Sequence, residues 1–419
     1  MKKEGTMRMK RRIAVLMILA LLCCGCMAQG EEKTMTEQEW YRRAMQDSVI
    51  STGNSLRLKK VIERAQAGEQ ITIATVGGSI TEGAAARRYD ECWASRFAAL
   101  FGEAYGTDGG TNVTLVNSGV GGTPSSFGWM RYGRDILERV PEEDGDGLPD
   151  LVVIEYAVND WGEPTHYRCY ESMVKEILSQ PNSAAVILLF TVRDDGWNMQ
   201  DDLQKIGERY HLPMISIRDG IYPHIGSDYP KKSFYNDEYH PKSAGHAMMA
   251  DALMEGIREA AAAETPAADT DPEAEPVYGT DFTGLKTLYG GTETADYTIE
   301  RGSFDQTDRN AYRNTPVGVV CGEQNFCHGF GSEGNEPLKV TGVFSKCLVS
   351  WLASADATYG AAEVYVDGTL QTTLQGGAGK WGQSEVVLIL DDPEAAEHTL
   401  EIRVTEKGKK FTITAISLK

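Results

Sequence analysis

The spacing of apolar positions divides the chain into two regimes. Over residues 36–68, Leu56, Leu58, Val61, Ile62 and Ala65 recur at helical spacing and Gly68 offers a stop, which predicts helix. Strand-like and helix-like segments then alternate. Strands are predicted at 71–76, 113–117, 150–156, 184–191 and, shorter, 213–217. Helical patterns fall at about 92–104, 126–139, 166–179 and 199–210, and a last helix follows Pro241 over about 243–262. Such alternation predicts an α/β domain over 36–260, a parallel sheet with helices on both faces.

Residues 261–275 are rich in Ala, Glu, Asp, Thr and Pro, have no apolar period and read as a linker. Beyond them no long helical period returns. Glu363-Val364-Tyr365-Val366 runs into Asp367-Gly368, a hairpin-turn dipeptide, and 386–390, 399–404 and 411–416 are further strand candidates. Residues 276–419 are therefore expected to form an all-β sandwich of jelly-roll type. No internal repeat is visible.

The first 26 residues stand apart. Lys2, Lys3, Arg8, Lys10, Arg11 and Arg12 precede the apolar run Ile13–Leu22, and Cys23-Cys24-Gly25-Cys26 follows. A basic head, a short apolar stretch and small residues make an export signal, too short for a comfortable membrane span. Two exits are open. Cys26 or Cys24 is lipidated and anchors the protein to a bacterial membrane, or 26–28 is an ordinary signal-peptidase exit and the protein is secreted. Either way the mature chain is extracytoplasmic. The formal charge of −20 becomes −25 without that segment, and no basic stripe is present, which argues against a nucleic-acid partner. Five cysteines remain, Cys92, Cys169, Cys321, Cys327 and Cys347, an odd number that leaves at least one unpaired within the chain. Cys321 and Cys327 are candidates for a bridge, with buried thiols the alternative. Outside the export signal no C-x-x-C pair exists to suggest zinc, and Asp144-Gly145-Asp146-Gly147 lacks the further ligands of a calcium loop.

Candidate chemistry gathers at predicted strand ends. The first strand runs into Gly77-Gly78-Ser79-Ile80-Thr81, where glycines permit a sharp turn that lifts a serine hydroxyl from the sheet edge. Asn117-Ser118-Gly119-Val120-Gly121-Gly122-Thr123 follows the second strand, and its glycines let a backbone N–H approach a reacting carbonyl. Glu155-Tyr156-Ala157-Val158-Asn159-Asp160 ends the third and offers the Asn159 amide as a donor. Asp237-Glu238-Tyr239-His240-Pro241 precedes the last helix. An Asp three residues before a His can hold one ring nitrogen and leave the other to take the serine proton. Singly each block is an ordinary turn or surface residue; in this order they form a nucleophile, a base and oxyanion donors.

These four blocks resemble the SGNH (GDSL-type) hydrolases. The resemblance covers residues 71–260 and implies a three-layer flavodoxin-like fold. It implies Ser79 as nucleophile, His240 and Asp237 as its partners, and an oxyanion hole from Ser79, Gly122 and Asn159. It also implies a serine esterase that needs no cofactor or metal. Two positions depart from the family pattern: Gly78 stands where Asp is usual, and Ala157 where Gly is usual. The stretch 149–160 resembles a polysaccharide-deacetylase-like branch of the family, and 276–419 resembles β-sandwich modules appended to carbohydrate esterases. Together with export, this implies removal of O-acetyl groups from a polysaccharide or glycan. The alternatives are a lipase or thioesterase on longer acyl chains, and an inactive glycan-binding protein. Acetylated glycan or another ester is the expected partner, with membrane contact only through the lipid anchor.

Other residues are weaker candidates. Arg87 and Trp381 are candidate substrate contacts; Arg88, Tyr89 and Trp93 are a solvated loop and a core aromatic, or line the cleft. Arg193-Asp194-Asp195 is a surface turn or touches substrate. Asp160 braces the third block or caps a helix, and His246 belongs to the last helix. Trp351 and Tyr359 stack on sugar or pack in the β-domain core.

Overall fold

The computed structural model describes residues 36–142, 145–311, 313–315, 318–320, 324–379 and 382–419. The export signal, Asp144, Cys321 (and with it the candidate bridge to Cys327) and Trp381 lie outside the described residues. Of the first structural unit, Met1–Tyr41, only the opening turns of helix α1 (Glu37–Ser48) are described; all that follows concerns the second, Arg42–Lys419.

The N-terminal domain is a six-stranded sheet in the order β1-β6-β5-β4-β2-β3. Its strands are β1 (Val49–Ser51), β2 (Ile71–Gly77), β3 (Val113–Gly119), β4 (Leu151–Glu155), β5 (Ala185–Phe190) and β6 (Met214–Ser216). All pairs are parallel except β1 with β6. The central strands β2, β4 and β5 are buried throughout, as strands covered on both faces must be. Their helices include α2 (Leu56–Gln66), α3 (Ser79–Glu82), α4 (Trp93–Tyr105), α5 (Ser125–Met130), α6 (Tyr132–Asp135), α7 (Pro164–Leu178), α8 (Gln200–Arg209), α9 (Lys231–Phe234) and α10 (Ser243–Ala262).

Two predicted helices are revised. The helical reading of 36–68 is interrupted by β1, three residues that pair with β6 at the sheet edge. The helix expected over 126–139 breaks at Arg131 into α5, α6 and a short 3-10 turn. The Arg131 guanidinium is fully buried there; it donates to Ser118 Oγ, the Gly77 carbonyl and Tyr156 Oη and pairs with Asp135 at 3.3 Å.

The C-terminal domain is an antiparallel all-β sheet, with the path β11-β16-β12-β15-β13-β14, and β7 and β8 added on β16 and β12. These are β7 (Lys286–Leu288), β8 (Tyr297–Glu300), β11 (Phe326–His328), β12 (Leu338–Ala353), β13 (Ala361–Val366), β14 (Thr369–Gln375), β15 (Gln383–Val404) and β16 (Phe411–Leu418); β9 (Arg313–Thr315) and β10 (Gly318–Val320) pair separately. The long strand β12 carries bulges near Phe344 and Cys347, and between them it exchanges β8 for β16 as neighbour. Asp367 (φ 50°) and Gly368 (φ 75°) make the β13–β14 turn with both residues left-handed, as a two-residue hairpin requires.

The two domains share one core. Phe282, Leu348 and Ala415 pack in the same apolar cluster as Phe127, Trp129 and Tyr156. Trp129 Nε1 donates to the Phe282 carbonyl at 2.7 Å, and Tyr289 Oη to the Met130 carbonyl at 2.9 Å. Arg168 lies over the Phe282 ring and pairs with Asp281 at 2.5 Å and Asp391 at 2.8 Å. The Ala- and Pro-rich segment between the domains is tied down by side chains. Arg57 pairs with Asp269 at 2.9 Å, Thr270 Oγ1 donates to the Tyr210 carbonyl, and the buried Glu171 carboxylate accepts from the N–H groups of Val277, Tyr278 and Gly279.

Candidate active site

Strand β2 ends at Gly77, and α3 begins two residues later at Ser79. The turn is pinned from below. Thr81 Oγ1 donates to Glu155 Oε2 (2.8 Å), whose other oxygen accepts from Thr191 Oγ1 (2.6 Å), and Asn117 Nδ2 donates to the Thr81 carbonyl (2.8 Å). Burial pushes the Glu155 carboxyl up, against the two hydroxyls that favour its charge. Glu155 thus joins the ends of β4 and β5 to the nucleophile turn, a role the sequence reading did not assign.

Ser79 Oγ donates to His240 Nε2 at 2.8 Å. His240 Nδ1–H in turn donates to Asp237, 2.8 Å from Oδ1 and 2.9 Å from Oδ2. Burial opposes ionisation of Asp237, but the N–H groups of Tyr239 and His240, the His240 ring and the Asn236 amide hold its carboxyl down at about 2. It stays ionised across ordinary pH and fixes the tautomer in which Nε2 is free to accept a proton. The loop that carries this pair is clamped to the end of β5: Asp194 N–H donates to the Glu238 carbonyl and Tyr235 Oη to the Val192 carbonyl.

The candidate oxyanion donors, Ser79, Gly122 and Asn159, follow β2, β3 and β4 and line one cavity. Gly121 N–H is already committed to Glu82 Oε2 at 2.7 Å. The Ser79 and Gly122 N–H groups have no hydrogen-bond partner among the described residues, which singles out Gly122 (φ +70°) over its neighbour. Asn159 Nδ2 spends one hydrogen on the Thr123 carbonyl at 3.1 Å and keeps a second. Asp160 accepts from Ser125 N–H (2.8 Å) and Ser125 Oγ (2.7 Å), so it holds the first residue of α5, two positions beyond the second block, against the third. Asn159→Ala should lower kcat on p-nitrophenyl acetate about 10²- to 10³-fold, the usual cost of one oxyanion donor. Steady-state kinetics would show it, and an unchanged kcat would remove Asn159 from the hole.

Both departures from the family pattern have a structural reading. Ala157 is fully buried and is not among the left-handed residues, so its Cβ meets no backbone penalty. Gly78 is different. A Cβ there would stand 2.5 Å from Asn159 Nδ2 and 2.7 Å from Oδ1, closer than real contacts allow. Gly78→Asp, which restores the residue usual in the family, should push the Asn159 amide aside and lower kcat about 10-fold or more. Kinetics beside a melting curve would check this, since a loss of stability alone would leave kcat per folded molecule intact.

His246 sits inside α10, buried, where Nε2–H donates to the Ala84 carbonyl (3.1 Å) and Nδ1 accepts from Trp93 N–H (3.3 Å). Burial drives its pKa down to about 4, so the folded protein holds it neutral. An unfolded chain protonates it below about 6.5. Stability from this group is therefore complete above pH 6.5 and lost as pH falls toward 4, by about 3 kcal/mol at 1.36 kcal/mol per unit. Urea midpoints between pH 4 and 7 should fall with acid, and His246→Gln should flatten that part of the slope.

The triad opens into a cavity of about 660 Å³ lined by residues of both domains. Ser79, Gly122, Asn159, Trp161, His166, Tyr239 and His240 line it from the hydrolase side, and Ala378, Gly379, Gln383 and Glu385 from the β-domain. His166 Nδ1 is 2.9 Å from Ser126 Oγ, another residue that no spacing signal marked. Arg87 does not line the cavity; its side chain pairs with Glu91 at 2.5 Å. Arg88 pairs with Asp90, Trp93 is fully buried, and Arg193 pairs with Asp195. Trp351 Nε1 donates to the Gln375 carbonyl, and Tyr359 is buried with its hydroxyl on Asp308.

A serine–histidine–aspartate relay beside three convergent donors at the C-terminal edge of a parallel sheet defines an ester hydrolase. Residues 75–248 match the GDSL-like Lipase/Acylhydrolase family. Two crystal structures share the two-domain architecture. Both are of a two-domain esterase (CEX) active on acetylated mannans, one co-crystallized with mannopentaose. Each is 24% identical over 89% of this chain and 97% of the other, with TM-scores of 0.72 and 0.73. No curated protein matches the chain.

Proposed function

We propose that the protein removes O-acetyl groups from a polysaccharide or glycan through an acyl-enzyme. The observation that carries the reading is the cavity that holds Ser79 and His240 on one side and β-domain residues on the other, a site shaped for a substrate larger than a simple ester. The kinship in fold with an esterase active on acetylated mannans supports the same substrate class.

Ser79 Oγ attacks the ester carbonyl as its proton passes to His240 Nε2. The oxyanion is held by the N–H groups of Ser79 and Gly122 and the Asn159 amide, and Asp237 stabilises the imidazolium. His240 then delivers the proton to the sugar oxygen, the C–O bond breaks and the sugar hydroxyl leaves. Water attacks the acetyl-serine and gives one proton to His240, which returns it to Ser79 Oγ as acetic acid departs and loses its remaining proton to solvent. We place the enzyme outside the cytoplasm, lipid-anchored or secreted, on the sequence of residues 1–26. No helix among the described residues is long and apolar enough to cross a membrane.

Acetate release from a panel of acetylated plant, host and cell-wall glycans tests the reading. Acetyl esters on oligosaccharides should be the best substrates, and a preference for long-chain acyl esters would overturn it.

A further inference from the structure

Trp161 is 59% exposed, although tryptophan is usually buried over most of its surface. Its backbone is left-handed at φ 53°, a region that bulky residues avoid, and Gly162 follows at φ 78°. Strain of this kind persists where the surrounding structure enforces it, and it clusters at functional sites. The turn lies two residues beyond Asn159, and its indole lines the catalytic cavity.

The ring is braced from behind. Trp161 stacks on Trp197 with centroids 4.7 Å apart and planes 23° from parallel. The Arg193 guanidinium stands 5.8 Å and 5.7 Å from those two centroids and 4.7 Å from that of Tyr239. Arg193 also donates to Tyr239 Oη at 3.2 Å and pairs with Asp195 at 3.2 Å and Glu238 at 3.7 Å. Tyr239 precedes His240, so the shelf and the catalytic histidine are wired to the same loop. Two stacked indoles give a flat, rigid apolar surface at the rim of a site whose chemistry needs none of it.

We propose that Trp161, backed by Trp197 and Arg193, is a sugar-binding shelf that takes the apolar C–H face of the pyranose next to the acetylated one. This rests on the glycan-esterase reading above and adds a specificity-determining subsite to it. Aromatic faces suit a pyranose because its axial C–H groups form one flat apolar surface. The shelf acts on binding, not on the bond being broken, so its loss should appear in KM more than in kcat.

The test compares wild type with Trp161→Ala, Trp161→Gly and Trp161→Phe on three substrates: an acetylated oligosaccharide, an acetylated monosaccharide and p-nitrophenyl acetate. For Trp161→Ala, the ratio of kcat/KM for the oligosaccharide to that for p-nitrophenyl acetate should fall at least ten-fold, mostly through KM. The same ratio for the monosaccharide should stay within two-fold of wild type, and Trp161→Phe should recover most of the loss. Trp161→Gly suits the left-handed backbone, so it should lose selectivity without losing melting temperature, which separates the shelf from a fold-holding stack. A wild-type enzyme active on the oligosaccharide, with the ratio unchanged in both the Ala and Gly variants, overturns the shelf alone. An equal loss on the monosaccharide overturns the neighbouring-ring assignment. A wild type that shows no activity on either acetylated sugar overturns the glycan reading and the shelf together.

Discussion

Replacing Ser79 with alanine should lower kcat/KM on p-nitrophenyl acetate by at least about 10⁴-fold, as loss of a catalytic serine does in other hydrolases. The reason is geometric. Ser79 Oγ is the hydroxyl 2.8 Å from His240 Nε2, and Asp237 on the far nitrogen is held ionised by donors from its own turn. Removing His240 should cost a similar amount, because the two residues act as one proton-transfer unit. The double variant Ser79→Ala, His240→Ala should then be little worse than either single one, a non-additivity that independent contacts would not show. The measurement is single-turnover and steady-state kinetics on purified variants with matched melting temperatures. A Ser79→Ala enzyme that kept more than a tenth of wild-type activity would sink the assignment.

The second large effect concerns the β-domain. A chain ending at residue 275 should fail to give a stable hydrolase, although every triad and oxyanion residue precedes that point. Truncation would expose Phe127 and Trp129 and leave Trp129 Nε1 without its carbonyl at Phe282. It would also strip the buried Glu171 carboxylate of three N–H donors, and a buried polar group left unpaired is costly. Melting by circular dichroism, with sedimentation to detect aggregation, should show a transition at least about 10 °C lower or none at all. A truncated protein with unchanged melting temperature and activity would mean that the C-terminal domain is a detachable module.

The parts of this protein that were legible in its sequence are those with local causes. Strands β2 to β6 announce themselves by apolar runs and β13–β14 by Asp367-Gly368; three of the four blocks follow β2, β3 and β4 because open parallel sheets place loops there, and the fourth, Asp237 to Pro241, precedes α10. What stayed hidden depends on contacts between distant segments. β1 is three residues long and exists because β6 offers an open edge. The segment before the β-domain has no apolar period, yet Asp269, Thr270 and Glu171 tie it down by polar contacts that leave no periodic trace. Trp161 and Trp197 lie far apart in loops, so no spacing links them until the sheet brings their turns together. The break at Arg131 is of the same kind, since helical spacing reports an apolar face and says nothing of a guanidinium that finds its partners at the ends of β2, β3 and β4.

The wall of the cleft also has a timing. In order of synthesis, Ser79, Asn159 and His240 come first and the wall residues Gln383 and Glu385 follow much later. Those residues lie in β15, which is held by β12, and β12 is flanked on its other side by β16, whose eight residues are all buried. A nascent chain can thus carry a complete triad while it still lacks the surface that shapes its substrate. Substitutions in β16, though remote from Ser79 in sequence, then belong among the lesions that silence this enzyme.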